Sequence, residues 1–333
     1  MRGTVYLLVF AWFPSSRSVG RNALKLTHSA PGPIASVMSD LRPFDDRDGW
    51  IWFDGALVPW REAEVHVLTH ALHYASSVFE GQRAYGGEIF RLSDHSRRLR
   101  RSGELLGFEI PWSVDQIDEA CREVLRANAL EDAYMRPVAW RGSEQMGVSA
   151  QRTKIHLAIA AWPWGAYFGE DAARRGIRLD ISPWRRPAPY TAPTESKASG
   201  LYMICTLSRH NAQGKGYDDA LMFDWRGQVA EGTGANAFFV RDGALHTPIP
   251  DCFLNGITRQ TVIELAKRRG IEVVERAIWP EELESFEQMF LTGSAAEVTP
   301  VASAGPWNFE VGDLTLQLRK DYLDFANRRL SNV

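Results

Sequence analysis

The stretch Glu231-Gly232-Thr233-Gly234-Ala235-Asn236-Ala237-Phe238-Phe239 places an acid before small residues and then an apolar run. Glycines let the backbone turn tightly beside a bound group, and the apolar run reads as a buried strand. Outward from it, Arg178 to Ile181, Ala220 to Phe223, Ala237 to Val240 and Met289 to Leu291 are strand-like, and helical patterns cover residues 199–213, 258–269 and 313–329. Nearer the amino end, Ile51 to Phe53 and Ala56 to Val58 flank the turn Asp54-Gly55, and Gln82 to Tyr85 and Glu88 to Arg91 flank Gly86-Gly87. Val65 to Val67 reads as a further short strand, and Tyr134 to Trp140 and Lys154 to Ala161 as buried ones. Ser93 is the expected cap of a helix running to Leu106. Ser113 caps a second, whose Ile117, Cys121, Val124 and Leu125 recur at helical spacing. Strands mixed with helices in this way indicate an α+β fold.

The composition changes at Trp162-Pro163-Trp164-Gly165-Ala166-Tyr167-Phe168-Gly169, where turn residues and aromatics lack any period. The expected organisation is an extension over residues 1–45, a small domain over 46–161, an interdomain loop over 162–173 and a large domain over 174–333. The chain has 333 residues, 45% hydrophobic and 24% charged, which excludes a disordered or fibrous protein. A net charge of 38 − 41 = −3 offers no basic field for nucleic acid or an anionic membrane. Cys121, Cys205 and Cys252 are odd in number and lack metal spacing, so a reducing, cytoplasmic compartment is expected. Val5 to Phe13 is an apolar run too short to span a bilayer. Residues 1–39 hold no acid, yet carry Arg2, Arg17, Arg21 and Lys25. They read as an extended start or disordered tail, with a targeting segment as the alternative.

Only six lysines occur: Lys25, Lys154, Lys197, Lys215, Lys267 and Lys320. Lys197 lies in Thr194-Glu195-Ser196-Lys197-Ala198-Ser199-Gly200, where small neighbours would let a flat ring approach. A lysine amine becomes a nucleophile when burial or nearby positive charge strips its proton. Glu231 is the kind of acid that keeps a pyridine nitrogen protonated. Gly256-Ile257-Thr258-Arg259 enters a helix whose unpaired amides could hold a phosphate. Thr292-Gly293-Ser294-Ala295-Ala296-Glu297 offers another small-residue amide nest. Arg83 and Arg136 lie on or beside apolar strands, Arg136 alternating with Tyr134, which could make a pocket with aromatic walls and a charged end. Taken singly, each has an ordinary structural reading as a solvated loop lysine, a hairpin corner, a capped helix or a plain turn.

In their order and spacing these stretches resemble a fold type IV, pyridoxal-phosphate-dependent aminotransferase, most of all the branched-chain amino acid aminotransferases. His66-Val67-Leu68-Thr69-His70-Ala71-Leu72-His73-Tyr74, Phe79-Glu80-Gly81-Gln82-Arg83, Glu231-Gly232-Thr233-Gly234-Ala235-Asn236 and Gly293-Ser294-Ala295-Ala296-Glu297-Val298-Thr299-Pro300 carry the resemblance, from about Trp50 to the carboxyl end. It implies two domains, with a small amino-terminal α/β part and a larger barrel-like one. It also implies pyridoxal 5'-phosphate as cofactor. Lys197 matches the lysine that bonds to the cofactor and moves the proton, and Glu231 the acid on its pyridine nitrogen. Arg98 matches the arginine on the phosphate, helped by Ile257, Thr258 and Ser294, and Tyr202 the tyrosine near the phenolic oxygen. Ser294 and Ala295 match the binder of the substrate α-carboxylate. Phe79, Tyr74, Trp164, Tyr167 and Tyr134 match the side-chain pocket, to which Arg83 is added. Arg136 matches the arginine that receives the distal carboxylate of glutamate. Met146 and Val148 match a loop that closes a partner subunit's pocket, implying a homodimer or a higher homo-oligomer.

The implied reaction is ping-pong transamination of leucine, isoleucine or valine with 2-oxoglutarate. A D-amino acid or (R)-amine transaminase is the alternative on the same fold, and aminodeoxychorismate lyase a further one. The chain departs from the family pattern at Ala75-Ser76-Ser77, at Ser294 in place of a common threonine, and at Gly234-Ala235-Asn236, which lacks an acid before the asparagine. These bear on substrate preference rather than on cofactor chemistry.

Overall fold

The computed structural model describes residues 42–165, 167–169 and 171–327. All lie within one compact unit, Val37–Val333. The expected extension falls almost wholly outside the described residues.

The first sheet is built from hairpins. β1 (Trp50–Phe53) and β2 (Ala56–Pro59) pair across Asp54-Gly55, where Asp54 has φ +50°. The short helix α1 (His70–Tyr74) precedes β3 (Ser77–Phe79), and β4 (Gln82–Tyr85) pairs with β5 (Glu88–Ile89) across Gly86-Gly87. Val65 to Val67 is loop, not strand. Helices α2 (Leu92–Leu105) and α3 (Val114–Ala127) lead to β6 (Ala133–Arg141) and β7 (Ile155–Pro163). The strand order is β2-β1-β7-β6-β4-β5, with β3 also on β6. β7 continues through Trp162 and Pro163, so the expected linker begins inside a strand.

Ser113 caps α3 as expected, in a reciprocal box with Gln116. Ser93 does not cap α2: the helix begins one residue earlier, after a left-handed Arg91, and Ser93 donates to Asp118 of α3. Ser96 donates to the same carboxylate at 2.6 Å. A buried acid therefore welds the two helices together. Cys121 packs with Ile117, Val124, Leu99, Met135 and Ile159 in the core between helices and sheet.

The second sheet holds β8 (Ile177–Ile181), β9 (Asp219–Phe223), β10 (Val229–Gly232), β11 (Asn236–Arg241), β12 (Ala244–Thr247), β13 (Val273–Glu275), β14 (Gln288–Gly293), β15 (Glu297–Ala304) and β16 (Trp307–Asn308). Its order is β10-β9-β8-β15-β14-β11-β12-β13, and β10 also pairs with β11. That extra pairing closes β10, β9, β8, β15, β14 and β11 into a ring, the barrel-like part of the fold. Its single register pair is Glu231 opposite Asn236. The short helix α4 (Ala172–Arg175) precedes β8, and α5 (Met203–Gly214), α6 (Ile257–Arg268) and α7 (Asp313–Ala326) complete the chain. Phe238, Phe290, Val262, Leu318 and Tyr322 share one core where α6 and α7 meet the strands.

Candidate active site

Lys197 is held by its backbone. Its N–H donates to Ser102 Oγ of α2 at 3.0 Å, and its carbonyl accepts from the Phe79 N–H of β3 at 3.1 Å. With the main chain braced on both sides, the side chain reaches Tyr202, and Nζ donates to the phenol oxygen at 2.7 Å. Nζ also lies 4.9 Å from the centre of the Phe79 ring. Burial, followed by the charge of Arg98, pushes the Lys197 amine down to about 8. A usable fraction of free base is therefore present at neutral pH.

Arg98 stands on α2 beside a group that the motif reading passed over. Glu80 is fully buried and accepts from Arg98 Nε at 2.6 Å and from Nη2 at 2.8 Å. His95 Nδ1 lies 2.6 Å from the same carboxylate. Burial would raise the Glu80 carboxyl, but Arg98 and His95 hold it well below the usual carboxylate range. The fork of Arg98 is thus fixed through Nε and Nη2, which leaves Nη1 as the edge for an anion.

Glu231 lies in β10 rather than at a hairpin corner, and is 8% exposed. Arg186 Nε is 3.4 Å from its Oε1, and Asn236 Nδ2 donates to Oε2 at 3.2 Å. Burial, opposed by Arg186 and Lys197, pushes its carboxyl up to about 7. The side-chain Oδ1 of Asn236 accepts from the Gly256 N–H at 3.1 Å, immediately before α6. Gly256 must lack a side chain, because a Cβ there would lie 2.3 Å from Asn236 Oδ1. Helix α6 has no side-chain cap, so the first-turn amides at Ile257 and Thr258 are open to an anion. Arg186 was invisible in the sequence, where Trp184-Arg185-Arg186-Pro187 reads as a polar loop.

Aromatic rings form one wall. Phe79 meets Tyr202 edge-on at 4.7 Å, and Tyr134 packs on Trp164 at 4.7 Å, which continues to Tyr167 at 5.8 Å. Arg136 Nη2 donates to the Tyr134 hydroxyl at 3.1 Å, and its guanidinium lies 4.7 Å from the Phe79 ring centre. Arg136 Nε and Trp164 Nε1 are buried without a hydrogen-bond partner.

The turn at Ser294 and Ala295 joins β14 to β15. Arg83 faces that turn and is occupied: its Nη1 is 3.4 Å from Glu297 Oε1, and it stacks over Tyr85. Tyr74 is not gathered with these groups. It is 44% exposed and stacks on His70, while Met146 and Val148 are 45% and 88% exposed.

The sequence profile described as amino-transferase class IV matches residues 77–304. The branched-chain-amino-acid aminotransferase of Pseudomonas aeruginosa is 44% identical over 289 residues, covering 85% of this chain and 94% of the relative. Among solved structures, the Escherichia coli branched-chain amino acid aminotransferase superposes with a TM-score of 0.83 at 39% identity, covering 86% of this chain and 97% of the other. The branched-chain aminotransferase of the thermophilic archaeon Thermoproteus uzoniensis, solved with norvaline, gives 0.82 at 36% identity, covering 86% and 97%. Together with an amine that feels the charge of a fixed arginine and in turn acts on a buried acid, these matches identify the chain as a member of the class IV aminotransferases.

Proposed function

We propose that the protein is a pyridoxal 5'-phosphate-dependent aminotransferase that moves the amino group of leucine, isoleucine or valine to 2-oxoglutarate. The observation that carries this is the convergence of Lys197, Tyr202, Glu231 and Arg98 beside an aromatic wall that ends in Arg136. The donor set fits the cofactor: a lysine with a lowered pKa, a buried acid, an arginine with a free edge and an uncapped helix start. When bound, the cofactor supplies an aldehyde that carries the amine and a ring that takes up the electrons of the broken Cα–H bond.

The protein's own groups supply the rest. Lys197 Nζ is the base that takes up the α-proton and gives it back, and Tyr202 orients that nitrogen. Glu231 would meet the ring nitrogen, with Arg186 and Asn236 fixing its two oxygens. Arg98 Nη1, the Ile257 and Thr258 amides and Ser294 hold the phosphate. Ser294 and Ala295 receive the α-carboxylate. Phe79, Tyr134, Trp164 and Tyr167 exclude water from an aliphatic side chain, and Arg136 pairs with the distal carboxylate when glutamate occupies the same pocket.

Exposed Tyr74, Met146 and Val148 support a homodimer in which this face closes the partner's site. Three unpaired, buried cysteines support a cytoplasmic setting, and none of the described helices is long and apolar enough to cross a membrane. The core between α2, α3 and the first sheet shares no residue with the cores on the second sheet, which supports a division near residues 162–173.

Borohydride reduction of the holoprotein followed by peptide mapping tests the assignment. Label on Lys197, and conversion of the cofactor spectrum by L-leucine and L-glutamate, are expected. Conversion by D-leucine or (R)-1-phenylethylamine alone would move the protein to the alternative transaminases, and an unlabelled Lys197 would remove it from this chemistry.

A further inference from the structure

The residue that ends the β14–β15 turn has an unusual backbone. Glu297 has φ +54°, a left-handed conformation that side chains with a Cβ rarely adopt. It is the register partner of Gly293, so the two residues bracket Ser294-Ala295-Ala296. Such a conformation persists only where surrounding contacts hold it.

Those contacts come from the other sheet. Tyr85 donates its hydroxyl proton to Glu297 Oε1 at 2.9 Å, and Arg83 Nη1 lies 3.4 Å from the same oxygen. Both partners sit on β4, two residues apart, and the Arg83 guanidinium covers the Tyr85 ring at 4.8 Å. The Glu297 side chain is only 16% exposed and that of Arg83 only 8%. Thr299 ties the same turn from the other end, donating to the Ala296 carbonyl at 2.6 Å. The Tyr85 hydroxyl also neighbours Tyr322, which reaches Thr258 in the first turn of α6.

We propose that Glu297 is a positioning residue: held by Arg83 and Tyr85, it sets the Ser294–Ala296 turn in the conformation that binds the α-carboxylate of the amino acid and of the 2-oxo acid. This rests on the transaminase reading above and adds to it the device that shapes the carboxylate subsite. It also gives Arg83 a task. Its guanidinium works through Glu297 rather than on the substrate side chain.

The test uses holoprotein and 4-methylvalerate, a leucine-sized acid without the amine, titrated against cofactor absorbance. Glu297→Gln keeps the size but loses the charge for Arg83. Glu297→Gly removes the backbone penalty together with the tie. Both variants are expected to bind 4-methylvalerate roughly tenfold or more weakly, because a misplaced recognition group loses binding steeply. KM for leucine and for 2-oxoglutarate should rise together with kcat little changed, and the pyridoxal 5'-phosphate affinity of the apoprotein should fall by less than the 4-methylvalerate affinity, because Ser294 is one of several phosphate contacts. Tyr85→Phe, which leaves the ion pair, should shift the affinity in the same direction by less, and it serves if the Glu297 variants do not fold. Unchanged 4-methylvalerate affinity in variants that still bind the cofactor would overturn the positioning role alone. A wild-type holoprotein that ignores both 4-methylvalerate and leucine would overturn the transaminase reading first, and this inference with it.

Discussion

Glu80, with no solvent exposure of its own, grips the largely buried Arg98 with both carboxylate oxygens, at 2.6 and 2.8 Å. Breaking one side of such a pair leaves a buried charge alone. Glu80→Gln should lower stability by about 3 kcal/mol, read as a shift in the urea midpoint at unchanged slope. Because Glu80 offsets part of the Arg98 charge felt at Lys197, the lysine amine should also titrate lower in the variant. An unshifted amine would mean that the Glu80 charge does not reach Lys197 through space.

The Lys197 value of about 8 sets a pH dependence. Capture of an aldehyde needs the free amine. The rate at which apoprotein takes up pyridoxal 5'-phosphate should rise with pH and level off just above 8, well short of the 10.5 of an ordinary lysine. Stopped-flow absorbance would follow this. A rise continuing to pH 10 would show that burial and Arg98 do not depress the amine.

Glu231 gives a slope of opposite sense in the apoprotein. Its folded carboxyl titrates at about 7, against 4.5 for an ordinary glutamate, so the folded state holds an extra proton between those values. The stability this contributes is complete below pH 4.5 and is lost as pH rises through 7. The loss amounts to about 3 kcal/mol. Urea unfolding of the apoprotein at several pH values should show it, and Glu231→Gln should flatten that part of the curve.

Arg136→Ala should harm the glutamate half-reaction by tenfold or more beyond its effect on leucine, since about 1.4 kcal/mol corresponds to each factor of ten. Single-turnover spectra with each amino acid separate the two. Equal losses would assign Arg136 to the aromatic wall alone.

Gly81 and Tyr134 make a steric prediction. A Cβ at Gly81 would lie 2.1 Å from the Tyr134 hydroxyl and 2.9 Å from its Cζ. Gly81→Ala should displace the ring, at a cost of about 1–3 kcal/mol, and slow leucine turnover. Adding Tyr134→Phe should recover part of the loss, because the hydroxyl makes the worst contact. No recovery would place the damage in the backbone.

Much of the site was legible because its chemistry requires rare residue types. Few lysines made Lys197 conspicuous, and glycines around Glu231 marked a tight backbone. Hairpins at Asp54-Gly55 and Gly86-Gly87 followed from turn chemistry alone. Glu80, Arg186 and Asn236 were harder, because their roles depend on partners 18, 45 and 20 residues away in the chain. Local pattern carries no trace of such pairings. Ser93 misled for a related reason: a serine near a helix start looks like a cap whether or not a distant acid, here Asp118, claims its hydroxyl. The strand at Glu297–Ala304 was missed because the small residues before it read as an isolated turn.

The barrel seam has a final consequence. Its one register pair, Glu231 with Asn236, is also where the acid proposed to meet the pyridine ring is held, and Asn236 reaches on to Gly256 at the start of α6. A slip of one residue in that pairing would turn Glu231 to the opposite face of its strand. Folding is therefore its own proofreading step: a chain that zips this edge out of frame forfeits its vitamin, and refolding yield should track cofactor occupancy one for one.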